Sequence, residues 1–262
     1  MGQVSYVFED AARARELERL QAIEELFDAE TQRLLSSAGP WEGRRCLEVG
    51  AGAGSIAAWM KSKAGPSGRV LAIDLDVRFL ERFAPEIEIV QGDVRDAALP
   101  AETFDVVHSR YVLIHNADSA LILDALVRCL KPGGFILLEE PDFGTIEPSA
   151  GPERLSQGFS RVGEAINAMF RGRGMNPALG RSLGAMLQAR GFDIASLGCD
   201  AHLARGGSVL AKMMGLSALQ LTDKYIETGS ATAEDVQTYG EFSTDPSCWA
   251  IYYSTFRALG RK

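Results

Sequence analysis

Arg44-Arg45-Cys46-Leu47-Glu48-Val49-Gly50-Ala51-Gly52-Ala53-Gly54-Ser55 decides how this chain is read. Apolar Cys46, Leu47 and Val49 mark a buried strand, the glycines a loop, and Ser55 a cap for a helix through Ile56-Ala57-Ala58-Trp59-Met60. Glycine costs roughly 0.5–1 kcal/mol relative to alanine unless positive φ or a close ligand requires it. A ligand is therefore expected on Gly50, Ala51, Gly52 and Gly54. A dinucleotide fingerprint G-x-G-x-x-G starting at Gly50 would place its third glycine at Ser55, so the match is imperfect. Glu48, at the strand's carboxyl end, would repel a pyrophosphate and attract a cation.

Outward from the loop, the turn Gly65-Pro66-Ser67-Gly68 leads into a second buried strand, Arg69 to Asp74. Asp74 stands roughly 20 residues past the loop, where α/β nucleotide sites place the acid that holds ribose hydroxyls. Asp76 is the better-placed cap for Val77-Arg78-Phe79-Leu80, which leaves Asp74 free for that role and Leu75 to touch a base. A third strand, Ile87 to Gln91, is followed by Gly92-Asp93-Val94. Asp93 can accept from a base amino group while the Val94 N–H donates to the ring; an Asx turn is the alternative. A fourth strand, Thr103 to Ser109, leads to Arg110-Tyr111-Val112-Leu113-Ile114-His115-Asn116, then a helix from Ala117 to Leu130 and a fifth strand, Phe135 to Glu140. Such alternation implies parallel strands with ligands at their carboxyl ends.

Taken together, L-E-V-G-A-G-A-G-S, the strand ending in Asp74, G-D-V, F-D-V-V-H-S-R-Y-V-L-I-H and L-K-P-G-G-F resemble the successive motifs of class I S-adenosylmethionine (SAM) methyltransferases. The closing segment Trp249 to Arg261 is similar to the last strand of small-molecule methyltransferases in bacterial secondary metabolism. The resemblance implies an α/β, Rossmann-like sheet of seven strands, mostly parallel with the last antiparallel, helices on both faces and a helical cap. It implies SAM as cofactor, S-adenosylhomocysteine as product, cofactor contacts from Ser109 and Arg110, and Tyr6-Val7-Phe8 folding over the ligand. From the residues alone that aromatic segment serves equally as a packing staple.

The expected organisation is a helical arm and flap over 1–40, a cofactor core over 41–142, a lid insertion over 143–179, and the rest of the core over 180–262 with a second helical insertion at about 206–245. Met213 and Met214 in that insertion can line an adaptable pocket or simply pack their helix. His115 is the leading general base, since an imidazole with an ordinary pKa near 6.5 suits proton abstraction at neutral pH. Glu139 and Glu140 are the alternatives, and strand alternation puts only one of them on a given face.

Composition narrows the function. Net charge −8 argues against a nucleic-acid footprint and favours a small-molecule acceptor. Cys46, Cys129, Cys199 and Cys248 show no metal-ligand spacing and are expected to be reduced packing residues, and a catalytic metal is not required. With neither a leader nor a run of ~20 apolar residues, the expectation is a cytoplasmic protein away from membranes, its amphipathic N-terminal arm offering a surface for a homo-oligomer. The expected reaction is methyl transfer to an O, N or C nucleophile of a natural-product intermediate. Rival readings are a SAM-binding protein that promotes cyclisation, a methyltransferase acting on RNA or protein, and a nicotinamide oxidoreductase.

Overall fold

Period-two alternation divides the central strands between two cores. Cys46, Val70, Ala72 and Val106 join one buried cluster, and Leu47, Val49, Leu71, Ile73 and Val107 the other. Burial on both faces is what a parallel sheet between helices requires. The computed structural model, which describes residues 13–262, assigns these residues to β1 (Arg45–Val49), β2 (Arg69–Asp74) and β4 (Phe104–Arg110), with β3 (Glu88–Gln91) beyond β2. β5 (Leu130–Asp142) runs parallel to β4, and β8 (Trp249–Arg261) lies antiparallel to β5. β7 (Asp193–Arg205) pairs with β8 along its other side. The sheet has eight strands, because Glu147–Ala150 forms a short β6 that pairs with the start of β8 beyond the end of β5. The order β3-β2-β1-β4-β5-β8 reverses direction between β1 and β4 and opens a crevice there at the strand carboxyl ends.

α1 (Arg13–Ser36) and α2 (Ser55–Ala64) pack against one another, while α3 (Ser119–Cys129) connects β4 to β5. The two insertions between strands join into one helical layer. α4 (Glu153–Gly172) packs on α8 (Ala233–Thr244), with Phe159 stacked 4.8 Å from Tyr239, and α6 (Val209–Gln220) also packs on α8. α5 (Leu183–Gln188) and α7 (Thr222–Ile226) are short connectors.

Several local expectations change. Ser55 does not cap α2 with its side chain; Gly54 holds the N-cap position at φ +93°, and the Ser55 N–H donates to Glu24 on α1 at 3.1 Å. No helix forms over 77–80, since the Asp76 carboxylate accepts the Arg78 N–H in a local turn and only Glu81–Phe83 winds into a 3-10 turn. The fifth strand runs two residues past Glu140, to Asp142. Cys199 is exposed on β7 while the other three cysteines are buried. Among the described residues no helix is long and apolar enough to cross a membrane.

Candidate active site

The crevice holds a cavity of about 350 Å3, floored by the ends of β1, β2, β4 and β5 and roofed by α1 and α6. Gly50, Ala51 and Gly52 line it, and Gly54 does not. Gly50 and Gly52 both take left-handed φ, +71° and +55°. A Cβ at Gly50 would lie 2.2 Å from Val112 Cγ2, and one at Gly54 2.5 Å from Phe83 Cε2. Those two glycines therefore answer to chain packing as well as to any ligand.

Asp74 lines the cavity but is not free. Its Oδ2 accepts the Gly52 N–H at 2.8 Å and its Oδ1 the Asp76 N–H at 3.0 Å, so it ties the glycine loop to the end of β2. Burial pushes its carboxyl pKa up, and those N–H groups oppose the shift. Leu75, Asp93 and Val94 also line the cavity. Asp93 is occupied by Arg95, whose guanidinium bonds to it and holds its pKa down. Arg110 reaches the cavity with its guanidinium bound to Asp28 at 2.8 Å and Thr31 at 3.0 Å. Ser109 is buried away from the cavity, paired in register with Val49 and Leu138. Tyr6 lies outside the described residues.

Glu48 reaches the cavity from β1, but both its oxygens lie 2.8–2.9 Å from His108 Nδ1 on β4. His108 Nε2 lies 3.0 Å from Glu139 Oε2 on β5. Glu139 also accepts Thr31 Oγ1 at 2.5 Å and Arg257 Nε at 2.6 Å, and Arg257 pairs with Asp200. Burial alone would push the imidazole down; the two carboxylates outweigh it and hold its pKa up at about 9. Burial likewise pushes Glu139 up, but His108 and Arg110 hold it down to about 2. The ring is thus an imidazolium that donates to both carboxylates. In the sequence His108 stands only as one residue of the fourth strand. Its signal was a polar residue inside an apolar strand, which needs a buried partner.

Neither glutamate proposed as a base lines the cavity. Glu139 is locked into the ion network just described. Glu140 accepts the N–H groups of Val112, Leu113 and Ile114 at 3.1, 2.8 and 3.1 Å, and so caps the 3-10 turn Leu113–His115. Burial pushes its pKa up to about 8 against those donors. His115 does line the cavity, its ring 6.1 Å from that of Phe170. Burial and the charge of Arg19 push its pKa down to about 3, well below the ordinary value. Around this end stand Phe143, Tyr111, Tyr253, Met213 and Met214, an apolar and aromatic wall the sequence revealed only in its two methionines.

The whole lining carries six carboxylate residues, Glu16, Glu24, Glu48, Asp74, Asp76 and Asp93, against Arg19, Arg78 and Arg110. A ligand with cationic groups suits that balance. A pyrophosphate does not, because the N–H at the start of α2, the usual anion seat, already holds Glu24. Residues 47–138 match the methyltransferase domain family. The nocamycin O-methyltransferase of Saccharothrix syringae is 29% identical over 153 residues, 55% of this chain and 53% of that protein. The chain spans about half the length of the curated relatives it matches. Among solved structures, a SAM-dependent methyltransferase from Aquifex aeolicus superposes with a TM-score of 0.53 at 16% identity, over 96% of this chain and 99% of that one. The [4+2]-cyclase SpnF gives 0.59 at 18%, over 92% and 81%. At these identities the two structures speak for the fold alone.

Proposed function

We propose that this chain is a cytoplasmic enzyme that binds SAM in the acid-lined cavity and transfers its methyl group to an O, N or C nucleophile of a small molecule. The observation that carries this reading is the surplus of carboxylates around a cavity with apolar walls at the carboxyl ends of β1 and β2. Glu48, Asp74 and Asp93, with the loop Gly50-Ala51-Gly52, would hold the cofactor, and Leu75 and Val94 would flank its base. When bound, SAM supplies a methyl group already activated by a sulfonium. The protein's part is alignment and exclusion of water, and proximity can contribute roughly 7–11 kcal/mol.

The acceptor belongs at the aromatic end, among His115, Phe143, Tyr111 and Tyr253. His115 is neutral there at physiological pH, so its ring can accept a hydrogen bond from an acceptor O–H or N–H. A base this weak serves an acceptor whose proton becomes acidic only as the nucleophilic atom gains the methyl group. The nocamycin O-methyltransferase relative supports a natural-product acceptor. The net charge of −8 and the acidic lining weigh against an RNA acceptor.

Calorimetric titration with SAM, S-adenosylhomocysteine and NAD is the direct test. Binding of the first two without NAD is expected; binding of NAD alone would overturn the assignment. Ring closure without methyl transfer is the second reading, and its support is the fold shared with a cyclase. Product mass separates the two, because cyclisation leaves the substrate's mass unchanged.

A further inference from the structure

Glu48 and His108 face each other in register on neighbouring parallel strands, β1 and β4. The carboxylate is 3% exposed and is the member of its network, besides Arg110, that reaches the cavity. A lone carboxyl at that depth gains a proton and loses its charge, because burial penalises the anion. Here the imidazole stands against both of its oxygens, while Glu139 grips the opposite ring nitrogen. Rotating the ring would break both contacts, and Glu139 is itself fixed by Thr31 and Arg257.

We propose that His108 is a positioning residue, held between Glu48 and Glu139, that fixes the Glu48 carboxylate as the anion facing the ammonium group of the cofactor's amino-acid portion. This inference rests on the SAM reading above. The charges around the clamp come from every strand and helix that packs on it: Glu48 from β1, Arg110 from β4, Glu139 from β5, Asp200 from β7, Arg257 from β8 and Asp28 from α1. With His108 and Glu48 both charged, these four carboxylates meet three cations and leave one negative charge in surplus; burial still pushes the Glu48 pKa up, with His108 and Arg110 opposing it. Glu48 is the carboxylate of the set that lines the cavity, so a cation bound there completes the balance.

The test uses two ligands that differ only in the amino-acid portion. S-adenosylhomocysteine carries the ammonium and carboxylate; 5′-methylthioadenosine keeps the nucleoside and thioether without them. His108→Asn removes the charge while keeping an N–H for Glu48. Calorimetry is expected to show S-adenosylhomocysteine weakened roughly tenfold or more in the variant, with methylthioadenosine within about twofold of wild type. Equal weakening of both ligands would reduce His108 to a structural role, and unchanged affinity for the first would also overturn the proposal. Should the variant fail to fold, nitrogen NMR of the native protein decides: at pH 7.5 His108 is expected to carry protons on both ring nitrogens, while His115 and His202, whose pKa values burial lowers, are neutral. A neutral His108 overturns the clamp. If wild-type protein binds neither compound, the cofactor reading itself falls.

Discussion

Glu140 holds Leu113 by its backbone: carboxylate Oε1 lies 2.8 Å from the Leu113 amide nitrogen, and the same carboxylate takes the N–H groups on either side. This contact carries the segment after β4 into the turn that ends at His115. Glu140 thus acts on the site through the backbone.

Glu140→Ala leaves buried N–H groups without acceptors, at about 1–3 kcal/mol each. The variant is expected to unfold at clearly lower urea concentration and to lose turnover as the His115 turn loosens. An unchanged urea midpoint would show that the cap contributes nothing.

Asp74→Ala is expected to weaken SAM binding in two ways at once, through the lost ligand contact and through release of the Gly52 N–H. Gly52→Ala isolates the second effect, since its Cβ would meet Leu20 Cδ2 at only 3.1 Å in a left-handed backbone. Calorimetry should rank wild type above both variants. Wild-type affinity in both would remove the glycine loop from the site.

His115→Ala is expected to keep SAM affinity and lose on the order of 10²–10⁴ in turnover if the ring takes the proton. The depressed pKa adds a sharper signature: kcat in the wild type should show no inflection near pH 6.5, because the ring stays neutral down to about 3. An inflection at 6.5 that disappears in the variant would mean the ring is solvated when substrate is bound.

Folding stability should decline from pH 6.5 toward 9. His108 holds its proton more tightly in the fold than in the open chain, so its contribution is complete below about 6.5 and is lost as the pH passes about 9. Glu139 has the opposite sign: its contribution is complete above 4.5 and is lost as the pH falls toward 2. Urea denaturation across this range checks both limbs, and His108→Asn should remove the part of the decline between about 8 and 9, leaving below about 8 the share that Glu140 contributes through its own raised pKa. A variant that retains the full alkaline slope would place its origin elsewhere.

What the sequence by itself determined is what neighbouring residues can encode. The strand–loop–helix at Arg44 to Met60, the acid at the end of the next strand and the parallel order follow from periodicity and spacing over a few tens of residues. Tertiary structure decided what depends on register and depth. His108 meets Glu48 across 60 positions and Glu139 across 31, and alternation says which face a side chain takes but not what stands opposite. For the same reason the sequence could not place Glu139 and Glu140 relative to the cavity, which neither of them lines. The strand runs on to Asp142, so Pro141 and Phe143 reach the cavity and the two carboxylates are buried behind it. The roof of Leu20, Ile23, Met213 and Met214 joins helices almost two hundred residues apart, and burial of their apolar faces over the crevice brings them together.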